Sequence, residues 1–234
     1  MDLYHLPGIN IDFEHMYKRN ARGFTCFIRE LKAQLEPRGC LLFVDVIAPD
    51  GDKNWSGCYE YWQLGMATDY MVLMAYDFTS IGSDTPGSGA PYYWVERSVN
   101  KLINRENIPA DKIILSMPLF IRLWNVDKET GLVLDNIDLV ISMIKENIPE
   151  NAEIIWLEKE QQHFTEFIGD NGILKQAWLE DIDSLSVKMQ LIPQYHLSGA
   201  AFYLEQYSNA EINASLAEAM DVILDTQENE LQEN

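Results

Sequence analysis

At 234 residues the chain can bury a sizeable core, as one large domain or two small ones. Its 17 basic and 37 acidic residues leave a formal charge of −20 at pH 7, which argues against nucleic acid or an anionic membrane surface as a partner. Three cysteines (Cys26, Cys40 and Cys58) show neither a CxxC pair nor a His/Cys ligand spacing, so neither a disulfide framework nor a metal site is indicated. No apolar run reaches the ~18 residues of a membrane helix, and the opening MDLYHL has neither the basic nor the apolar region of a signal peptide.

The first predicted element is a strand over "GINIDFE", residues 8–14. Successive strand side chains point to opposite faces, so Asn10, Asp12 and Glu14 share one face while Ile9, Ile11 and Phe13 share the other. Phe24, Phe27, Ile28, Leu31 and Leu35 then recur at helical spacing, in a helix stopped by Pro37 and Gly39. "CLLFVDVIAP" (40–49) reads as a strand, "YEYWQLGMA" as a short helix and "DYMVLMAYDF" (69–78) as another strand. The Gly/Ser/Pro-rich segment 79–91 is a loop, 92–107 a helix, 112–120 a strand and 136–148 a helix. Residues 153–181 change texture to two or three short strands with a turn at "GDNG". A helix over 182–196, kinked or ended by Pro193, a strand over 198–207 and a last helix over "AEINASLAEAMDVIL" complete the pattern.

Strands alternating with helices at this spacing imply a parallel α/β architecture, of which the (β/α)8 barrel is one form. The block at 153–181 reads as an excursion from one βα loop, so the domain expected is 1–226, followed by a polar tail at 227–234. In such barrels the site gathers at the C-terminal ends of strands. Asp12 and Glu14 finish the first strand, and Tyr76 with Asp77 finish the third. Two residues along a strand span roughly 6–7 Å, so Asp12 and Glu14 feel each other's charge, which raises one pKa and suits a general acid. Met74 and Tyr76 read equally as core, and Trp62, Trp94, Trp156 and Trp178 as packing rather than sugar platforms. The four histidines show no triad or metal pattern and read as surface or capping residues.

In this order the segments resemble glycoside hydrolase family 18, and within it the bacterial cell-wall and spore-cortex N-acetylglucosaminidases related to chitinases. "PGINIDFE" (7–14) is similar to the D-G-I-N-I-D-F-E of the family's fourth barrel strand, and "MAYD" (74–77) to the M-x-Y-D of its sixth. "PYYWVERSV" (91–99) and "IPADKIILSMPLF" (108–120) are similar to the segments that follow. The resemblance implies hydrolysis of β-1,4-linked N-acetylglucosamine polymers, peptidoglycan or chitin, by substrate-assisted retaining chemistry without a cofactor. It implies Glu14 as the acid that protonates the glycosidic oxygen and later activates water. Asp12 would orient the 2-acetamido group, Tyr76 would hydrogen-bond its oxygen, and Asp77 would help to hold the sugar. Asn10, Met74, Trp124 and Tyr203 complete the implied substrate-binding set.

The sequence departs from the family pattern at Pro7, which replaces the first Asp, at Ser116 and Phe120, which replace a Gly and a Tyr, and at Tyr203, which replaces a Trp. Only five barrel strands can be counted, 8–14, 40–48, 70–77, 112–120 and 198–204, corresponding to strands four to eight of a partial barrel. Met1 would then be internal to a longer frame, or a separate half or a second copy would complete the sheet, or the chain would be an inactive remnant. The expected functions are accordingly a glycosidase, a non-catalytic chitinase-like binding or scaffold protein, or a half-barrel whose exposed edge mediates assembly. The family implies a spore-envelope or extracellular location.

Overall fold

The computed structural model describes residues 3–49, 56–140, 143–170, 172–203 and 213–223. It divides into two units, one formed by Met1–Ala75, Arg97–Ser116 and Tyr195–Ala201, the other by Tyr76–Glu96, Met117–Gln194 and Phe202–Asn234.

The first unit is built on a parallel sheet. Its strands are β1 (Gly8–Ile11), β2 (Leu41–Ile47), β3 (Tyr70–Met74), β4 (Ile113–Pro118) and β10 (Gly199–Tyr203), hydrogen-bonded in the order β1-β2-β3-β4-β10. The pairs β1/β2, β2/β3 and β3/β4 are parallel, as expected of consecutive strands in a (β/α)8 barrel. Helices α1 (Ala21–Leu35) and α2 (Tyr61–Ala67) follow β1 and β2, and α3 (Tyr92–Asn104) follows β3. One face of β2, Leu42, Val44 and Val46, is fully buried, and α1 buries Phe24, Ile28 and Leu35. The helix ends as the sequence predicts, in a turn that carries Pro37 and closes on Gly39 at φ +65°. Lys32 of α1 holds the Asp69 carboxylate at 2.6 and 2.7 Å, and the same carboxylate accepts the Leu42 N–H at 2.7 Å. β1 stands at one end of the strand order, with Ile9 exposed.

The second unit holds an antiparallel sheet of β5 (Phe120–Val126), β6 (Val133–Val140), β7 (Ile154–Leu157), β8 (Gln162–Ile168) and β9 (Leu174–Leu179), in the order β6-β5-β9-β8-β7. Three of these are the short strands read at 153–181. The helix expected over 136–148 is instead strand β6 followed by a single turn, α4 (Ile144–Asn147). The reason is long-range pairing. β6 runs against β5 from Phe120↔Val140 to Val126↔Val133, which sets Leu139 opposite Ile121 in the core; Ile137, on the same face farther along the strand, is exposed. Leu139 packs with Ile121, Leu123, Ile148, Ala177 and Leu179.

A second, polar core in this unit joins Lys188, fully buried, to Glu180 at 2.8 Å. Gln162 donates to Glu180 and accepts from Ser88, and Ser184 donates to Glu180 at 3.1 Å. The helix expected over 182–196 is two, α5 (Ile182–Met189) and α6 (Leu191–Tyr195). The break falls at Gln190, which leaves Pro193 in the first turn of α6, where its missing N–H costs little. A further helix, α7, covers 213–223. The rest of the expected strand beyond Tyr203 and the tail at 227–234 lie outside the described residues.

Candidate active site

β1 ends at Ile11, so Asp12 and Glu14 leave the strand on an irregular segment rather than finishing it. That segment is held from its apolar side. The Phe13 ring stacks on Phe24 and Phe27 of α1 at 5.8 and 5.6 Å between centroids. The Tyr59 hydroxyl donates to the Phe13 carbonyl at 3.1 Å. Tyr59 itself packs edge-on against Phe24. With Phe13 turned into this aromatic cluster, Asp12 and Glu14 on either side of it are exposed. Glu14 lies 3.8 Å from His15, whose backbone sits at φ +53° and turns the chain away.

Asp45, which sequence reasoning missed, joins this group. Asn10 pairs with Phe43 and Ile11 with Val44 across the parallel ladder, so Asn10, Phe43 and Asp45 share a face. Asn10 Nδ2 donates to Asp45 Oδ2 at 2.9 Å, while Asp45 Oδ1 is buried without a hydrogen-bond partner. Burial, with the charges of Asp12 and Glu14 added, pushes the Asp45 carboxyl up to about 7 despite the Asn10 hydrogen bond. Partial burial raises Asp12 as well. The Tyr59 phenol is pushed up by burial and by the nearby acidic groups, which keeps it a hydrogen-bond donor. The sequence signal for Asp45 was a lone carboxylate in an otherwise apolar strand.

In the second unit, Asp77 is the organised carboxylate. It adopts φ +62°, a left-handed conformation that a residue with a Cβ enters at some cost. Arg122 of β5, almost fully buried, donates to Asp77 Oδ1 at 3.1 Å and to the Thr79 carbonyl at 2.9 Å. Its other nitrogens grip Asp138 of β6 at 2.7 and 3.1 Å. Burial raises the Asp77 carboxyl in spite of Arg122, with the Asp138 charge adding to the rise. Arg122 and Asp138 carried no signal in the sequence, because one lay beyond a predicted strand end and the other in a predicted helix.

The remaining predicted residues differ in their surroundings. Tyr76 lies edge-on to Phe120 at 6.1 Å, and Tyr203, at the end of β10, is exposed. Met74 is buried at the end of β3, opposite Ile47 and Ser116 in the ladders. Trp124, expected to contact substrate, is fully buried and donates its indole N–H to the Gly87 carbonyl at 3.0 Å. It offers no face to a sugar and works as packing that fixes the 79–91 loop. His163 departs from the surface reading too. It is half-buried, 2.7 Å from Asp181, and its donor atoms lie within 4.8 Å of those of Asp181 and Asp183. Asp181 is also the N-cap of α5, accepting from the Ser184 N–H at 3.0 Å.

Carboxylates at the C-terminal ends of parallel strands are where acid–base chemistry gathers in (β/α)8 barrels generally. The model of the glycosyl hydrolases family 18 matches residues 1–206, and the chain belongs to that family. It is 31% identical over 191 residues to YdhD of Bacillus subtilis (strain 168), provisionally named a sporulation-specific glycosylase, covering 81% of this chain and 44% of that protein. It is 23% identical over 208 residues to the cortical fragment-lytic enzyme of Bacillus anthracis, covering 86% of this chain and 46% of that protein. The crystal structure of a chitinase from Chromobacterium violaceum ATCC 12472 superposes with a TM-score of 0.80 at 24% identity, over 92% of this chain and 66% of that one. The fold is thus that of a partial (β/α)8 barrel. The chain spans about half the length of the relatives it matches.

Proposed function

We propose that the chain carries the acid–base machinery of a glycosidase that hydrolyses β-1,4-linked N-acetylglucosamine polymers, in peptidoglycan or chitin, by substrate-assisted retaining chemistry. The observation that supports this reading best is the Asp12–Glu14 segment, exposed at the end of a parallel strand and held by Phe13 and Tyr59. In the first step Glu14 gives its proton to the glycosidic oxygen. The 2-acetamido carbonyl oxygen of the substrate attacks the anomeric carbon, and the bond to the leaving sugar breaks. Asp12 holds the acetamido N–H and balances the positive charge that develops on that group. Glu14, now ionised, takes a proton from water, which attacks the same carbon and restores the acetamido group with net retention. Tyr76 is the proposed hydrogen-bond donor to the acetamido oxygen. Asp77, with Arg122 behind it, helps to hold the sugar, and Asn10 and Tyr203 complete the binding set.

The test is Glu14→Gln, assayed by reducing-sugar release from cortex peptidoglycan and from chitin oligomers. Hydrolysis is expected to fall by at least ~100-fold while oligosaccharide binding survives. Equal activity in the variant would sink the assignment. Tight binding by the unmodified chain with no turnover selects the second reading, a non-catalytic chitinase-like binding protein. The replacements at Ser116 and Phe120 favour that reading.

A further inference from the structure

The carboxyl group that the reaction scheme leaves unused is Asp45. We propose that Asp45 is a positioning residue of this site: through Oδ2 it fixes the Asn10 amide, and on Oδ1 it carries the site's resting proton. The proposal rests on the reading of Glu14 as the acid and extends it.

Three observations carry it. First, Asp45 is 8% exposed, and its Oδ1 has no hydrogen-bond partner, whereas a buried ionised carboxylate requires several. Protonation of Oδ1 removes the charge, the larger part of that cost. Secondly, the charges that bear on it, Asp12 and Glu14, have its own sign, and three neighbouring carboxylates do not all ionise together at modest cost. Thirdly, the partner on Oδ2 is an amide that can only donate from Nδ2, so the Asn10 side chain is locked with Nδ2 toward Asp45 and its carbonyl oxygen pointing elsewhere. An amide held this way offers an acceptor on its free side. The groups that face Asp45 are Asn10 of β1, Asp12 and Glu14 after it and, from the segment before α2, Tyr59, which feels the Asp45 charge. Across the ladder Asp45 meets the apolar Val72 of β3. The upward displacement of the carboxyl to about 7 agrees with this arrangement.

The experiment follows the aspartate carboxyl carbons of the carbon-13-labelled chain by NMR from acid to alkaline pH. One carboxyl is expected to titrate near neutrality and to vanish in Asp45→Asn. The Asp12 signal should show a second inflection at that same pH, absent from the variant. In Asp45→Asn, which keeps the shape of the side chain, kcat should drop by roughly tenfold and the alkaline limb of the pH profile should move, with KM changed by less than about twofold. Titration of every aspartate in the ordinary carboxylate range overturns the proposal. A neutral titration with no second inflection at Asp12, or with an unchanged pH profile, overturns the positioning role. A chain that turns over no substrate defeats the Glu14 assignment, while the carbon-13 titrations of Asp45 and Asp12 still decide this one.

Discussion

The Tyr59 hydroxyl donates to the backbone carbonyl of Phe13, the residue that separates Asp12 from Glu14. A side chain 46 residues away thus fixes the peptide that carries the proposed acid. Tyr59→Phe keeps the ring packing on Phe24 and removes only this bond, worth about 1 kcal/mol. We expect chitin-oligomer hydrolysis to fall roughly fivefold, mostly in kcat, with stability in chemical denaturation lowered by no more than about 1 kcal/mol. An activity equal to that of the unmodified chain would show that the Phe13 stack on α1 suffices by itself.

Arg122 is the hub of the second unit's charged cluster, joining Asp77, Asp138 and the Thr79 carbonyl. Its removal as Arg122→Met leaves two carboxylates beside each other without their cation. A loss of about 2–4 kcal/mol in urea unfolding is expected, the lower part of the range reflecting the partial exposure of Asp77. Arg122→Lys restores the charge but not the planar fork that grips Asp138 through two nitrogens. It should recover less than half of the loss. Full recovery by lysine would mean that charge alone, not geometry, organises Asp77.

These two clusters mark how far the sequence could be read. The five parallel strands were legible because each is a short apolar run closed by Pro, Gly or a polar step, and their order follows from short crossovers. The strand carrying Asn10 was legible from alternation, although the face it was expected to share with Asp12 and Glu14 does not extend past Ile11. The end of β1 at Ile11 was not, because it depends on Phe13 finding Phe27 and Tyr59, contacts that local pattern does not encode. Asp45 belongs with Asn10 only through the β1–β2 register. β6 was read as a helix because "NIDLVISMI" fits both periods, and its pairing with β5 decided between them. Trp124 looked like a sugar contact and proved to be core, since its indole N–H found an acceptor in Gly87.

Gly8 shows how closely β1 and β2 approach. A Cβ at this position would lie 2.7 Å from the Leu41 carbonyl oxygen and 3.0 Å from the Leu41 Cβ. Both neighbours belong to the residue that Gly8 pairs with in the ladder, so one cannot yield without shifting a strand. Gly8→Ala should therefore destabilise by about 1–3 kcal/mol in chemical denaturation and weaken amide protection in β1 before that in β3. A fully neutral substitution would show that β1 can slide outward without loss.

Asp69 gives a pH-dependent prediction whose sign follows from its partners. Burial by itself would raise this carboxyl, but the Lys32 ammonium and the Leu42 N–H outweigh it and hold the group below its ordinary value of 3.8. A carboxylate depressed in the folded state contributes stability that is fully present above its unfolded value and lost as pH falls through the folded one. The bond joins α1 to the start of β2, at 2.6 and 2.7 Å from Lys32 and 2.7 Å from Leu42. Asp69→Asn keeps an acceptor for Leu42 but loses the charge. Urea titrations should show a deficit of about 1.5–3 kcal/mol at neutral pH that narrows steadily as the solution is acidified below 3.8. A deficit that is constant with pH would assign the effect to packing rather than to the Lys32 pair.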